Sequence, residues 1–393
     1  MYNRTEIEKI LNEENADVFI ATTKENFKYL TGFFPVCKQL RPYNSEVFAV
    51  IHKNNLDEIH IIHSLGEIDQ VLDAYSNIGI VHTYGKFYRE RREHCLLTKE
   101  ELKLLQYSNP KTNYDTSFLA LIELLKKLSV SNIVLDEEGL NNSQYTKLSD
   151  YLSNYNVLKG SHLIKKVRSI KTNKEIELLR KSANILEKSI MHIKDLIYSE
   201  QVDEKAIVQE FNTQVSKQGA LPVLPMIKVG RESVGGQRKP NNTKLTDESF
   251  IWFDCDIVYE GYWADVARIV VKNPNYYKHK DYFNILRNAQ RSAIERIKPG
   301  MHAYEVYDLV MNEVKNNGIP HYKRNHVGHG IGLEPYELPV LSENNIELIE
   351  DGMVLCIETP YYEYGIGAIH IEDLVLIKND GNIVLNETDG HLI

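Results

Sequence analysis

Only four cysteines occur in the 393 residues, Cys37, Cys95, Cys255 and Cys356, and no two stand in a CxxC spacing. That argues against a disulfide scaffold or a cysteine-based zinc motif, and the thiols read as reduced, mostly buried and incidental. Basic residues are in the minority, 46 Lys and Arg against 55 Asp and Glu, for a net charge of −9. A nucleic-acid partner usually demands a clustered basic face, which this balance does not supply. The densest basic run, Arg89-Glu90-Arg91-Arg92-Glu93, mixes signs and reads as solvated surface. No stretch approaches the ~18 apolar residues that cross a bilayer. The first 14 residues are charged and lack the apolar core of a signal peptide. The expectation is a cytoplasmic location, with no nucleic-acid or membrane partner. There is no internal repeat and no low-complexity tract.

What is present is an ordinary globular balance, 42% apolar and 26% charged, at a length that suggests two domains. The first half alternates helix and strand signals. Helical spacing covers 5–14 and 26–30, the latter closed by Gly32, and strands are expected at 17–22, 47–52 and 59–63. Helices at 115–128 and 143–152 flank a strand at 132–136. The alternation predicts an α/β layer. Segment 96–113 is polar and irregular and reads as a loop or insertion. A boundary near 160–172 gives expected domains 1–165 and 166–393. Thr172-Asn-Lys-Glu175 has the form of a capping box and opens a helix reaching about residue 197, followed by another at 204–218. Strands at 248–255 and 262–271, joined through Gly261, read as a hairpin. Helices at 279–297 and 304–316 follow, then strands at 353–358, 369–377 and 383–385. Helices and antiparallel strands are segregated in this half, which predicts α+β.

Five residues of the second half stand out: Asp254, Asp265, His329, Glu358 and Glu372. Asp254 and Asp265 lie in an apolar hairpin at a spacing that makes them near neighbours on one face. Two carboxylates brought together there repel unless a cation joins them; one capping the turn and one exposed is the alternative. His329 sits among three glycines, Gly328, Gly330 and Gly332, which suggests a tight backbone with a projecting imidazole. Glu358 ends an apolar strand, and Glu372-Asp373 stands mid-strand, where a buried acid requires a partner. Four acids and one imidazole suit Mn²⁺, Co²⁺ or Zn²⁺ at a site with room for two ions.

These segments resemble the pita-bread metallopeptidase family, which includes methionine aminopeptidase, aminopeptidase P, prolidase and creatinase. The likeness lies in Asp254 to Asp265 with Gly261-Tyr262, in Gly328-His-Gly-Ile-Gly-Leu333, in Ile357-Glu358 before Pro360, and in Ile371-Glu372-Asp373. Asn26-Phe-Lys-Tyr-Leu-Thr-Gly32 and the segment Lys171 to Ala183 extend it over nearly the whole chain. It implies an α/β N-terminal domain of creatinase/prolidase type and an α+β pita-bread catalytic domain. It also implies two divalent ions, manganese first and zinc or cobalt otherwise, with a bridging water or hydroxide that attacks a scissile carbonyl. Asp254 would hold one ion, Asp265 and Glu372 would bridge, His329 would complete the other, and Glu358 would be both ligand and proton shuttle. A homodimer is implied, with the N-terminal domain shaping access to a partner's site.

Four positions depart from the family pattern. Gln237 and Tyr336 stand where two substrate-contacting histidines are usual. Both can donate a hydrogen bond, but neither carries a proton near neutral pH as imidazole does; Tyr336 as an aromatic packing residue is the alternative. Asp256 replaces a usual glycine and faces as Asp254 does. It reads as an extra ligand, as a receptor for a cationic group of the substrate, or as an acid turned to a backbone donor or solvent. His370 replaces a common arginine two residues before Glu372. It reads as a support for a ligand carboxylate, as the source of the lost proton transfer, or as a simple hydrogen-bond partner of a neighbouring acid. The expected function is a dinuclear hydrolase, similar to Xaa-Pro aminopeptidase and prolidase, that cleaves an amide bond in a small peptide or peptide-like substrate. The alternatives are a same-fold metalloenzyme with lyase or non-peptide C–N chemistry, and a non-catalytic binding protein.

Overall fold

The computed structural model describes residues 2–199, 202–275, 277–388 and 390, in two compact units, 1–167 and 168–393. In the first unit the strands are β1 (Val18–Ala21), β2 (Phe48–His52), β3 (Asn55–Ser64), β4 (Asn77–Tyr84), β5 (Asn113–Tyr114), β6 (Asn132–Leu135) and β7 (Asn156–Lys159). They form a seven-stranded sheet in the order β5-β4-β3-β2-β1-β6-β7. β2 lies antiparallel to both β1 and β3, and the remaining pairs are parallel. Helix Ser117–Lys127 packs Phe118, Leu121, Leu124 and Leu125 on Val18, Ile20, Phe48 and Val50 of the sheet. Buried Asp136 holds the start of helix Lys24–Thr31, accepting from the backbone N–H groups of Thr22 and Thr23 at 3.0 and 2.8 Å. Segment 96–113 is not the expected loop. It holds helix Lys99–Tyr107, opened by a capping box between Thr98 and Glu101.

The second unit carries the residues singled out above. Its strands are β8 (Leu221–Val229), β9 (Phe250–Tyr259), β10 (Tyr262–Val271), β11 (His326–Gly330), β12 (Glu337–Ser342), β13 (Val354–Glu358), β14 (Tyr361–Glu363), β15 (Gly367–Ile369), β16 (Glu372–Leu376) and β17 (Ile383–Val384). They form an antiparallel sheet β10-β9-β8, a second sheet β12-β11-β13-β16-β17, and the pair β14-β15. The β9–β10 turn places Glu260 and Gly261 at φ +52° and +90°, between the partners Tyr259 and Tyr262. Two left-handed residues match the strand twist of a two-residue hairpin, and glycine accepts that conformation without strain. The capping box forms as expected, Glu175 N–H donating to Thr172 Oγ1 at 3.3 Å and Thr172 N–H to Glu175 Oε2 at 2.9 Å. Helix Asn173–Ser199 follows it.

Two segments depart from expectation. His329, expected on a tight glycine-flanked backbone, lies in a strand, β11. Gly328, at φ +148°, lies against the Cys356 carbonyl so closely that any side chain there would collide, and glycine is what lets β11 pair with β13. The continuous strand expected at 369–377 is interrupted at His370-Ile371, where the chain passes from the β14-β15 pair into the five-stranded sheet.

A buried ion network ties the two larger sheets together. Arg268 of β10 donates to Glu187 at 2.6 Å and Asp373 at 2.5 Å, and to the carbonyl of Glu372 at 2.7 Å. Gln290 donates to the other Asp373 oxygen at 2.9 Å. Breaking one arm of a buried ion pair strands the remaining charge in a low dielectric. Asp373→Ala should therefore cost about 3–5 kcal/mol, measured as a lower denaturant midpoint for the second unit. Glu248→Ala, which removes an exposed partner of Lys278, should leave that midpoint in place.

Candidate metal centre

Side chains alternate across a strand, so register decides which of them meet. In the hairpin, Asp256 is directly opposite Asp265 and Asp254 is opposite Ala267. The three aspartates share one face, and the direct partner of Asp265 is Asp256 rather than Asp254. In the neighbouring sheet Glu358 is opposite Glu372, and His329 is opposite Cys356. The carboxylates of Asp254, Asp256, Asp265, Glu358 and Glu372 line one cavity of about 810 Å³. Each of the five residues is less than a tenth exposed.

Electrostatics in this cavity are those of crowded anions. Burial, with Asp254 alongside, pushes Asp256 up to about 7. Burial pushes Asp265 and Glu372 well above the usual carboxylate range, and facing acids add to it, chiefly Glu372 on Asp265 and Glu358 on Glu372. Asp256 Oδ1, Asp265 Oδ1 and Glu372 Oε1 are buried without a hydrogen-bond donor, a condition a cation would relieve. His329 meets the same requirement. Its Nδ1, read as protonated from the network, donates to the Gly330 carbonyl at 3.0 Å. Nε2 is then left as an acceptor, 3.9 Å from Asp265 Oδ2 and 4.0 Å from Glu372 Oε1. Burial lowers its pKa and favours the neutral, ligating form. Donor atoms of Asp254, His370 and Glu372 lie within 4.8 Å of one another, and so do those of His329, Cys356 and Glu372. Glu372 belongs to both groups.

The four positions that depart from the family pattern take distinct places. His370 faces the acids: Nε2 is 3.1 Å from Glu358 and 3.5 Å from Glu372, and Nδ1 is 3.4 Å from Asp254. Burial opposes its charge, but Asp254, Glu358 and Glu372 outweigh burial and push it up to about 10. Asp256 faces the cavity and not solvent. The Tyr336 ring stacks on His329 with centroids 3.7 Å apart, half-exposed, its hydroxyl 3.3 Å from His326 Nε2. Gln237 is exposed at the cavity mouth on loop 230–240. Buried Glu204 braces that loop, accepting from Lys228 Nζ, Asn241 N–H and Val229 N–H at 2.7, 2.9 and 3.1 Å.

Sequence reasoning passed over three residues of this cavity or its wall. His326 places Nε2 3.1 Å from Glu358 Oε1. Three positions from His329, it would face away in a regular strand, but an irregularity in the β11–β12 register brings it round. Cys356 lies two residues before Glu358 on the same face, a signal that was available; burial, with Glu372 nearby, pushes its thiol well up. Arg324 lines the wall beside His326.

Below the cavity, Glu337 holds the turn that carries Tyr336. It accepts from Leu333 N–H at 2.9 Å and Lys171 Nζ at 2.6 Å, and pairs with buried Arg168. Burial alone would raise its pKa, but the two cations outweigh burial and hold it near 2.

Comparison with known proteins settles the lineage. Residues 177–379 match the model of metallopeptidase family M24, and residues 4–170 match the creatinase/prolidase N-terminal domain. The chain belongs to metallopeptidase family M24. An uncharacterized peptidase of Staphylococcus aureus is 25% identical over 97% of this chain and 98% of its own length. The Xaa-Pro dipeptidase of Bacillus anthracis superposes with a TM-score of 0.78 at 22% identity, over 99% of this chain and 98% of that one. The X-Pro aminopeptidase of Thermotoga maritima gives 0.77 at 19%, over 98% and 99%. The fold is thus a creatinase-type N-terminal domain followed by the M24 catalytic domain, and the M24 chain is a metallohydrolase.

Glu337 provides a pH test of the cavity's support. A carboxylate with a depressed folded pKa stabilises the fold above its unfolded value and loses that contribution as pH falls through the folded one. The window here runs from 4.5 down to about 2. In Glu337→Gln the acid limb of stability should flatten in that window. The expected loss at neutral pH is roughly 3 kcal/mol, measured by chemical denaturation against pH beside the parent protein.

Proposed function

We propose that the cavity is a dinuclear metal centre with Asp254, Asp265, His329, Glu358 and Glu372 as ligands, Asp256 as an additional donor, and a small Xaa-Pro peptide as substrate. The observation that carries this reading is the position of Glu372 in both donor groups, among buried carboxylate oxygens that have no hydrogen-bond donor. Hard oxygen donors with one imidazole favour manganese, with zinc or cobalt as substitutes. Bound there, two divalent ions would offset the repulsion among the acids, lower the pKa of water and polarise a scissile carbonyl. Glu358 moves the proton, flanked on separate oxygens by His326 and His370. These two imidazoles take over where Gln237 and Tyr336 have displaced the usual ones. Tyr336 and Gln237 serve as hydrogen-bond donors to the substrate. Support for the substrate class comes from family membership and from the named activities of the structural neighbours. A homodimer in the cytoplasm completes the proposal.

One observation favours a second reading. Asp256 adds a carboxylate where the family pattern has glycine, which suits a same-fold metalloenzyme acting on a non-peptide substrate. Metal analysis with a dipeptide panel separates the two. Two Mn²⁺ per chain with hydrolysis of Xaa-Pro dipeptides supports the peptidase, and bound metal without peptide turnover supports the second reading. A protein that takes up no Mn²⁺, and whose melting temperature ignores it, would overturn both. Asp265→Ala should abolish metal uptake. Tyr336→Phe should retain the metal and lower kcat by about 10²-fold; unchanged kcat would remove the hydroxyl from the reaction.

A further inference from the structure

Cys356 stands outside the ligand set proposed above, yet it lies against it. On β13 it is two residues before Glu358, on the same face, and it is the direct cross-strand partner of His329. Its side chain is wholly buried. Its sulfur and one donor atom each of His329 and Glu372 all lie within 4.8 Å of one another. Bond lengths of about 2.3 Å to sulfur and about 2.0–2.2 Å to nitrogen or oxygen let a single zinc ion hold donors up to roughly 4.5 Å apart. The three donors therefore stand at or near the span that one ion bridges. Two further observations point to a ligand there. Glu372 Oε1 and Asp265 Oδ1 are buried with no hydrogen-bond donor, and His329 Nε2 is left as an acceptor by the bond its Nδ1 makes to the Gly330 carbonyl. The sulfur contacts the same groups, the carbonyl of Asp265 at 4.0 Å and the carboxylate of Glu372. The other donor group, Asp254, His370 and Glu372, contains no sulfur. The second buried thiol does not supply one. Cys255 alternates with Asp254 and Asp256 on β9 and turns its sulfur to the Met226 carbonyl at 3.7 Å.

We propose that Cys356 is a sulfur ligand of the ion held by His329 and Glu372, so that the two ion positions of the cavity differ in softness. The position at His329 takes a thiophilic ion, zinc or cobalt before manganese, while the position at Asp254 is a harder site of carboxylate and imidazole donors. The inference rests on reading the cavity as a dinuclear centre. It adds a ligand and a metal preference that the four acids and the single imidazole of the proposed set do not provide. Coordination exchanges the S–H bond of Cys356 for a sulfur–metal bond, and the proton leaves to water.

The sulfur–metal bond has signatures that do not depend on turnover. The full chain is loaded with Co²⁺, and metal uptake and near-ultraviolet absorption are read together. The parent protein should bind two Co²⁺ and show a sulfur-to-cobalt charge-transfer band. Cys356→Ser should keep the cobalt and lose the band, and Cys255→Ser should keep both. Zinc outcompetes manganese at most nitrogen and oxygen sites, so selectivity is compared between parent and variant. In Cys356→Ser the preference for Zn²⁺ over Mn²⁺ should fall by more than about 10-fold, because loss of even an indirect support of a metal ligand costs about 10- to 100-fold in affinity. The zinc-loaded parent gives a reading that needs no variant: X-ray absorption fine structure should show one sulfur neighbour at about 2.3 Å. Cobalt uptake without the band, or zinc with nitrogen and oxygen neighbours alone, would overturn the inference and leave the metal centre standing. So would a band that survives Cys356→Ser or vanishes only in Cys255→Ser. Failure to take up Co²⁺, Zn²⁺ or Mn²⁺ would bring down the metal centre itself and the sulfur ligand with it.

Discussion

Five carboxylates crowd one cavity of this protein, and mutual repulsion among buried anions is the force around which the second unit is arranged. In a dielectric well below that of water, two such charges a few ångströms apart oppose each other by several kcal/mol. The fold meets this by facing the acids toward positive or positively polarised groups: the imidazoles of His370 and His326, and the space between Glu372, Asp254 and His329 where we place metal ions. Strand register brings the acids together. Asp256 and Asp265 are cross-strand partners, as are Glu358 and Glu372, and on β9 the cavity-facing Asp254 and Asp256 alternate with buried Phe253, Cys255 and Ile257.

Such a cluster holds its shape only if the strands beneath it cannot drift, and the opposite faces of the same strands supply that rigidity. Asp373 follows Glu372 and points the other way, into Arg268 and Gln290; Arg268 also takes up the carbonyl of Glu372. The Glu337 carboxylate, locked between Arg168 and Lys171, performs the same service for the turn that stacks Tyr336 on His329. Loop 230–240, with Gln237, depends on Glu204 in a comparable way. Each support is a buried charge whose partner lies within hydrogen-bond reach, the arrangement that makes a buried ion tolerable.

How much of this is legible from residues alone follows from what leaves a local trace. An acid inside an apolar strand, as at Glu358 or Glu372, is conspicuous, because burying charge is costly unless something answers it. The Thr172–Glu175 box reads directly because its two hydrogen bonds span three positions. Helix Lys99–Tyr107 carries the same three-position signature at Thr98 and Glu101 and was nevertheless passed over; it is short and none of its residues is buried, so its few leucines stand in a polar segment that resembles a loop. β8 was masked by Pro222 and Pro225, which a central strand would exclude; at the edge position it occupies, the missing N–H groups cost little. His326 was masked by the register irregularity, and Arg324 by the lack of any local pattern that ties an arginine to a cavity wall.

The amino-acid order by itself determined the two-part architecture, the segregation of helices and strands in the second half, and the set of acids and the histidine that stand out there. All of these are encoded in short-range spacing, where periodicity and the cost of a buried charge act over a few residues. Only the tertiary structure decided which acids face one another, that Asp256 belongs with them, that His326 and His370 flank Glu358 on separate oxygens, and that Arg324 lines the same cavity. Those relations arise between strands that lie, in part, more than a hundred residues apart. They are fixed by sheet register and by one local irregularity, which the linear order of residues does not express.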